Sequence, residues 1–442
     1  MNSGQLEAAI ALAGRPEARR DAGALNVGAA CAARLGLSEA ADGFYRRALA
    51  LDPRFAAAYS NYGIFLQTQD RWDEAERALA QAVRLQPDFV EGHYNLAILR
   101  GRLGRWAEAE AGHLEALRLR PDHPGARFNL GALMLARGAF EDGWPLFEAR
   151  RDPRSPEALP APALPFPEWT GEPLDGKSLL VWFEQGFGDE IQTARYVPWL
   201  KDRGAARVSL VCKPQLAQLF ATLPGVDAVI PASGHAQIDP HDYWVPPFSI
   251  PYRAGARLET IPAEIPYLAA TLDRRVRWDR ALPPGDLRIG LAWRGSAALK
   301  NDANRSLAGL STLAPLWSVP GAVFVSLQKG SGEEEADKAP PGQPIIPLGA
   351  GIADFADTAA IIDQLDLVIS VDTAVAHLAG ALGKPCWVLL PRIGTDWRWL
   401  RDRDDSPWYP TLRLFRQGEG ETWDAVIVRV AEALALYAAG RG

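Results

Sequence analysis

The sequence predicts an all-α repeat superhelix followed by an α/β domain of two lobes. Three observations carry that expectation. Leu-Asp-Pro53, Leu-Gln-Pro87 and Leu-Arg-Pro121 recur every 34 residues, the mark of a stacked helical repeat. Beyond residue 178, short β-branched runs alternate with helix-length segments, which implies a mostly parallel sheet in each lobe. Between the two parts, residues 151–177 hold seven prolines (153, 156, 160, 162, 165, 167 and 173) and read as an extended linker. The expected divisions are therefore repeats over 1–150, linker over 151–177, a first lobe over 178–284 and a second over 285–442.

The repeat register is set by small residues. Ala29/Ala41/Ala48, Gly63/Ala75/Ala82 and Ala97/Ala109/Ala116 recur at the same offsets, where small side chains let paired helices approach closely, and the proline ends each second helix. This pattern resembles the tetratricopeptide repeat, with three repeats over 22–55, 56–89 and 90–123. A fourth begins at His123-Pro124 and turns irregular at Gly143-Trp144-Pro145, as a capping unit would; residues 3–20 read as a leading helix. Asn61, Asn95 and Asn129 also lie 34 apart, on the first helix of each pair. An asparagine ladder there offers donors and acceptors to the backbone of an extended peptide, or is simply the residue this repeat position favours.

The second part is organised around Asp366-Leu-Val-Ile-Ser-Val-Asp372-Thr373, which continues through His377 to Gly383-Lys384-Pro385. Leu367 to Val371 is strand-length and apolar; Asp372 and Thr373 start a helix that Gly383 and Pro385 end; Cys386 to Leu390 supplies the next strand. A helix N-terminus at a strand's carboxyl end gathers unpaired N–H groups and suits a diphosphate. Thr373 and His377, four apart, share its first turn. The run Ser370-Val-Asp-Thr-x-x-x-His-Leu-x-x-x-Leu-Gly-x-Pro385 resembles the nucleotide-sugar segment of the lipopolysaccharide heptosyltransferases, glycosyltransferase family 9. In that family the Asp-Thr-Gly turn binds the donor diphosphate; here Ala374 stands where glycine is usual.

Strand Leu179–Phe183 leads into Glu184-Gln-Gly186-Phe-Gly188-Asp189, whose glycines permit a tight strand-to-helix turn. The Gly-Asp pair resembles the first loop of heptosyltransferases. The resemblance implies that Asp189 is the catalytic base, its carboxylate not consumed by capping its own helix; by position alone it reads rather as a helix cap. Loops 294–306, 328–332 and 372–377 all follow strands of the second lobe. Lys300, Arg305, Gln328, Lys329, Asp372, Thr373 and His377 are the expected donor-binding set, because a leaving diphosphate needs converging positive charge. Trp397 and Trp399, past the last of these strands, are placed either to stack on a base or sugar or to pack one lobe on the other.

Composition narrows the classes. A net charge of −7 argues against a nucleic-acid binder driven by bulk charge. Cys31, Cys212 and Cys386 have no short spacing and read as buried hydrophobes in a reducing compartment. No apolar run approaches 18 residues and the N-terminus lacks a signal-peptide pattern, so no transmembrane segment and a cytoplasmic location are expected. No His or Cys spacing suggests zinc, and Asp402-Arg-Asp404 lies in an arginine-rich loop unlike a metal scaffold.

The resemblances together imply a two-lobed glycosyltransferase of the GT-B type. It would use a nucleotide sugar, with no metal or other cofactor, and glycosylate a polypeptide recruited by the repeats, a layout similar to that of protein O-GlcNAc transferases. The alternatives are a heptosyltransferase-like enzyme acting on lipopolysaccharide or another glycan, and a repeat adaptor with an inactive transferase domain.

Overall fold

The computed structural model describes residues 3–15, 20–155, 158, 160–233, 238–285, 287–297 and 301–440. The chain divides into two compact units. One comprises Met1–Leu133 and Leu146–Ala158, the other Met134–Pro145 and Leu159–Gly442. Twelve residues expected among the repeats thus join the second unit.

The first unit is built from a leading helix α1 (Ser3–Ala13) and the pairs α2 (Ala22–Arg34)/α3 (Ser38–Leu51), α4 (Ala56–Gln67)/α5 (Trp72–Leu85) and α6 (Val90–Arg102)/α7 (Trp106–Leu119). Helices α8 (Pro124–Ala136) and α9 (Phe140–Phe147) follow. Every alanine of the repeating small positions is fully buried. A Cβ at Gly63 would come within 2.6 Å of Leu79 Cγ, so bulk there would push the paired helices apart. The turn inside each pair passes through a left-handed residue at the same register: Gly36 (φ 74°), Asp70 (φ 55°) and Gly104 (φ 76°). Glycine, and less easily aspartate, tolerates that backbone.

Successive repeats are stitched by charge in the same 34-residue register. Arg71 bridges Asp42 and Glu74, both at 2.7 Å; Arg105 bridges Glu76 at 2.5 Å and Glu108 at 2.6 Å. Such partly exposed pairs each contribute roughly 0.2–1 kcal/mol, so the stack rests on its alanine and aromatic core. Tyr45, Tyr62, Phe65 and Leu79 supply much of that core.

In the second unit, β1 (Ser178–Val181), β2 (Arg207–Cys212), β3 (Ala228–Pro231) and β4 (Tyr243–Val245) form a parallel sheet in the order β3-β2-β1-β4. Helices α10 (Phe187–Ala194) and α11 (Tyr196–Asp202) lie between β1 and β2 in sequence. Helix α12 (Leu272–Asp279) leads to the second lobe. Its Arg274 pairs with Asp354 and Asp357, at 2.6 and 2.8 Å, beside α13 (Phe355–Ile362).

The second lobe is a six-stranded parallel sheet. Its strands are β5 (Leu287–Ala292), β6 (Ala322–Ser326), β7 (Ile345–Pro347), β8 (Leu367–Val371), β9 (Cys386–Leu390) and β10 (Leu412–Arg416), in the order β10-β9-β8-β5-β6-β7. The four inner strands are apolar in their middles, as strands covered on both faces require. Helix α14 (Ala374–Ala381) joins β8 to β9, and α15 (Trp423–Ala439) closes the chain by burying Val426, Ile427, Val430 and Leu434. The order reverses between β5 and β8, and in such sheets the crevice at the carboxyl ends of those two strands is where ligands bind. Cys31, Cys212 and Cys386 are buried free thiols. Among the described residues no helix is long and apolar enough to cross a membrane.

Candidate active site

The helix after β8 starts as its sequence requires. Thr373 is the N-cap, extended in backbone (φ −140°), and its hydroxyl accepts from the Val375 N–H at 3.3 Å. Ser370 Oγ, at the end of β8, lies 3.0 Å from Thr373 Oγ1 and fixes the cap. From the loop after β5, the Arg305 Nη1 donates to the Asp372 carbonyl at 3.1 Å and its Nε to Asp302 at 3.2 Å. A Cβ on Gly295 would fall 2.4 Å from Arg305 Nη2, so that loop must run close beside the guanidinium. These contacts place Arg305 at the mouth of the switch point.

Asp189 stands at the start of α10 in the first lobe. Its Oδ2 accepts from the Gly186 N–H at 2.7 Å, and its Oδ1 accepts from Arg398 Nη2 at 2.5 Å. The expectation that this carboxylate is free of capping its own helix is thus corrected, because one oxygen closes the capping box. The other oxygen ties the first lobe to a turn of the second. Arg398 itself is nine-tenths buried and follows Asp396, which caps the turn through the Arg398 N–H at 3.0 Å and lies 3.3 Å from its Nε. Arg398 and Asp396 were not singled out by the sequence. The detectable signal was an Asp-x-Arg turn at the carboxyl end of a buried strand.

Three carboxylates and two guanidiniums thus share one locus. Burial, and then the neighbouring Asp396, push the Asp372 carboxyl up to about 6, while Arg398 and Arg305 pull the other way. Burial also raises Asp396, against the pull of Arg398. His377 is buried, with Nδ1 3.0 Å from the Tyr409 hydroxyl and its ring stacked on Trp399 at 5.1 Å. Burial and the positive charges of Arg398, Arg195 and Arg305 hold its protonation far below the ordinary range, so the imidazole is neutral. Gly188 explains the contact of α10 with α14: a Cβ there would lie 2.7 Å from His377 Cδ2.

Several expected ligands have other employment. Gln328 is buried, and its amide is consumed by backbone: Oε1 accepts from the Trp293 and Arg294 N–H groups, and Nε2 donates to the Arg294 and Ser331 carbonyls. It braces the loops after β5 and β6 and has no donor group left for a ligand. Lys329 is half exposed and bound to the Gly349 carbonyl at 2.8 Å and to Glu333 at 3.3 Å. Lys300 lies outside the described residues. Trp397 and Trp399 are buried at 7% and 0% exposure and lie against Phe248 and His377 respectively, so neither offers an open stacking face. In the first unit, Asn61, Asn95 and Asn129 each donate to the preceding repeat, at Asn26, Ser60 and Tyr94 respectively, over 3.1, 3.1 and 3.3 Å.

Comparison with known proteins finds similarity in two segments of the chain. Residues 321–389 match the model of glycosyltransferase family 9 (heptosyltransferase). That segment runs from β6 to β9 and contains Asp372, Thr373 and His377. Residues 44–77 match the tetratricopeptide repeat. Protein FlbA of Caulobacter vibrioides is 31% identical over 341 residues, 70% of this chain and 54% of FlbA, so the chain spans about half the length of that relative. Among solved structures, a family 9 glycosyl transferase from Veillonella parvula DSM 2008 covers 61% of this chain and 100% of its own at 14% identity and TM-score 0.45. The tetratricopeptide protein YrrB covers 31% of this chain and 70% of its own at 24% identity and TM-score 0.28. One polypeptide thus holds a segment similar to the tetratricopeptide repeat and a segment similar to glycosyltransferase family 9.

Proposed function

We propose that the protein is a metal-independent glycosyltransferase of the GT-B type that moves a sugar from a nucleotide sugar to an acceptor hydroxyl, on a polypeptide held by the repeats. The observation that carries this reading is the convergence of Asp189, from the first lobe, with Arg398, Arg305 and the helix N-terminus at Thr373, from the second. The acceptor oxygen attacks the anomeric carbon and its proton passes to Asp189, while the bond from that carbon to the diphosphate breaks and the nucleoside diphosphate leaves with the electron pair. Each Asp189 oxygen holds one hydrogen bond and retains a second lone pair, so the capped and paired carboxylate can still take a proton. Arg305 and the positive dipole end of α14 at Thr373 supply positive charge where the leaving group gains negative charge, a role a metal plays elsewhere. Neutral His377 supports α14 through Tyr409 and Trp399.

The peptide acceptor is supported by the asparagine register. Each of the three amides spends one N–H on the repeat before it, and its carbonyl oxygen can accept from a bound backbone. A glycan acceptor is the second reading, favoured by the heptosyltransferase match over 321–389.

A thermal-shift screen against nucleoside diphosphates and nucleotide sugars, followed by turnover of the best donor, tests the proposal. One nucleotide series should raise the melting point, since a ligand of the folded form stabilises it. Asp189→Asn keeps an acceptor for the Gly186 N–H but cannot take the proton. It should retain the ligand-induced shift and lose roughly 100-fold or more in turnover. Leaving Arg398 short of one charged partner should also cost about 1–3 kcal/mol of stability. No shift with any nucleotide, or undiminished turnover in the variant, refutes the assignment.

A further inference from the structure

The segment that ends the repeats in sequence supplies two aromatic side chains to the second unit. Trp144, 2% exposed, meets Trp397 edge-on with centroids 5.2 Å apart at 84°, and Phe140, also 2% exposed, stacks on Trp408 at 6.0 Å. Glu141 between them pairs with Arg257 at 2.5 Å. Phe140 and Trp144 are four apart on α9 and therefore present one face. Trp397 also meets Trp408 at 6.0 Å and 75°, and Phe248 at 6.1 Å and 73°, so the indole is walled by aromatic rings. The next residue is Arg398. Its guanidinium lies 5.4 Å from the Trp397 ring centroid and 5.7 Å from that of Phe248, and it reaches Asp189 from there.

We infer that Phe140 and Trp144 are positioning residues for the Arg398–Asp189 pair, so that the transferase site is complete only when residues 134–145 are seated in the second unit. The inference rests on the catalytic role proposed above for Asp189. Arg398 is a buried cation held by its carboxylate partners and attracted to the faces of Trp397 and Phe248, so a displaced ring withdraws part of what holds the guanidinium in place. The turn bearing it is short: Asp396 caps it and Leu400, at φ 55°, leaves it in the left-handed region. Removing the Trp144 indole takes away one wall of the Trp397 cage, and the space is regained most easily by rotation of Trp397. That rotation carries Arg398 away from Asp189 and leaves the base without its orienting charge.

Arginine-selective 15N spectra of the full-length protein test this without substrate. The Arg398 guanidinium, assigned by its loss in Arg398→Lys, should give slowly exchanging resonances in the wild type. Trp144→Ala should broaden or abolish them, and Trp144→Phe should restore them. The Arg274 resonances, whose partners Asp354 and Asp357 lie on other elements, should persist throughout and report an intact fold. Trp144→Leu, which fills part of the volume but offers no aromatic wall to Trp397, should also broaden the Arg398 resonances and serves where the alanine variant does not fold. With the donor found by the nucleotide screen, Trp144→Ala should bind nucleoside diphosphate within about twofold of wild type while turnover falls about 10- to 100-fold. Unchanged Arg398 resonances in Trp144→Ala or Trp144→Leu overturn the inference and leave the functional reading standing. A wild type that turns over no nucleotide sugar defeats the functional reading, while the spectra still decide whether α9 positions Arg398.

Discussion

At the scale of single residues, the site is a balance among Asp189, Asp372, Asp396, Arg305 and Arg398, and pH exposes it. The Asp372 carboxyl titrates at about 6 in the folded protein against an ordinary 3.8. A raised value favours the folded state while the group is protonated. Its contribution is whole below about pH 4 and is lost as pH rises through about 6. Above that, the ionised carboxylate is a burden of up to about 3 kcal/mol, at 1.36 kcal/mol per unit. Asp372→Asn removes it. Relative to wild type, the variant should gain about 1–3 kcal/mol of stability between pH 4 and pH 8, read from denaturant midpoints; an equal difference at both pH values contradicts the burial of this carboxylate. Sequence legibility at this scale was uneven. Asp189 and Thr373 each stand at a strand's carboxyl end beside a helix start, and Arg305 stands farther along the loop after β5, where its charge marked it. Gln328 and Lys329 stand in an equivalent loop but serve it internally, and only coordinates separate the two cases. Arg398 was hidden by the arginine-rich loop around it, where no spacing distinguishes one guanidinium from another.

At the scale of elements, α10 and α14 meet through a glycine, and Gly188 decides how closely. With a Cβ 2.7 Å from the buried His377 ring, Gly188→Ala must displace α10 or the imidazole. Overpacking of that kind costs about 1–3 kcal/mol. Gly43, exposed within α3 and with nothing within 4 Å of its Cβ position, is the contrasting site. Alanine there should stabilise the repeats by about 0.5–1 kcal/mol through helix propensity. Chemical denaturation of the two variants checks both signs, and a neutral Gly188→Ala refutes the close-approach argument. Strands β8 and β9 were legible to the residue because continuous β-branched runs bounded by turn residues have few other uses. Strand β7 was not, having three residues and ending in proline; nor was β10, whose Leu-Arg-Leu-Phe-Arg is interrupted by charge. Both are edge strands, where burial leaves the weakest imprint.

At the scale of the whole molecule, the 34-residue period made the repeats legible, since each unit needs the same small residues at the same helix contacts. The period could not show where the repeats stop contributing to their own unit. Residues 134–145 keep helical sequence while their aromatic face belongs to the second unit. Nor could it show that the asparagines are shared between two tasks. Each is half-buried and donates one N–H backward to the preceding repeat, a bond contributing about 1 kcal/mol. Replacing Asn61, Asn95 and Asn129 together by alanine should therefore cost the repeats about 2–4 kcal/mol at most. If the same amides also hold an acceptor backbone, the triple variant should consume the nucleotide sugar by hydrolysis at the wild-type rate while transfer to a polypeptide acceptor falls at least about 10-fold. Serine at the three positions retains a polar group but loses the amide's paired donor and acceptor, so it should recover stability better than transfer. Equal loss of hydrolysis and transfer would trace the effect to the fold. Undiminished polypeptide transfer would remove the groove from the mechanism and leave the repeats a partner other than the acceptor.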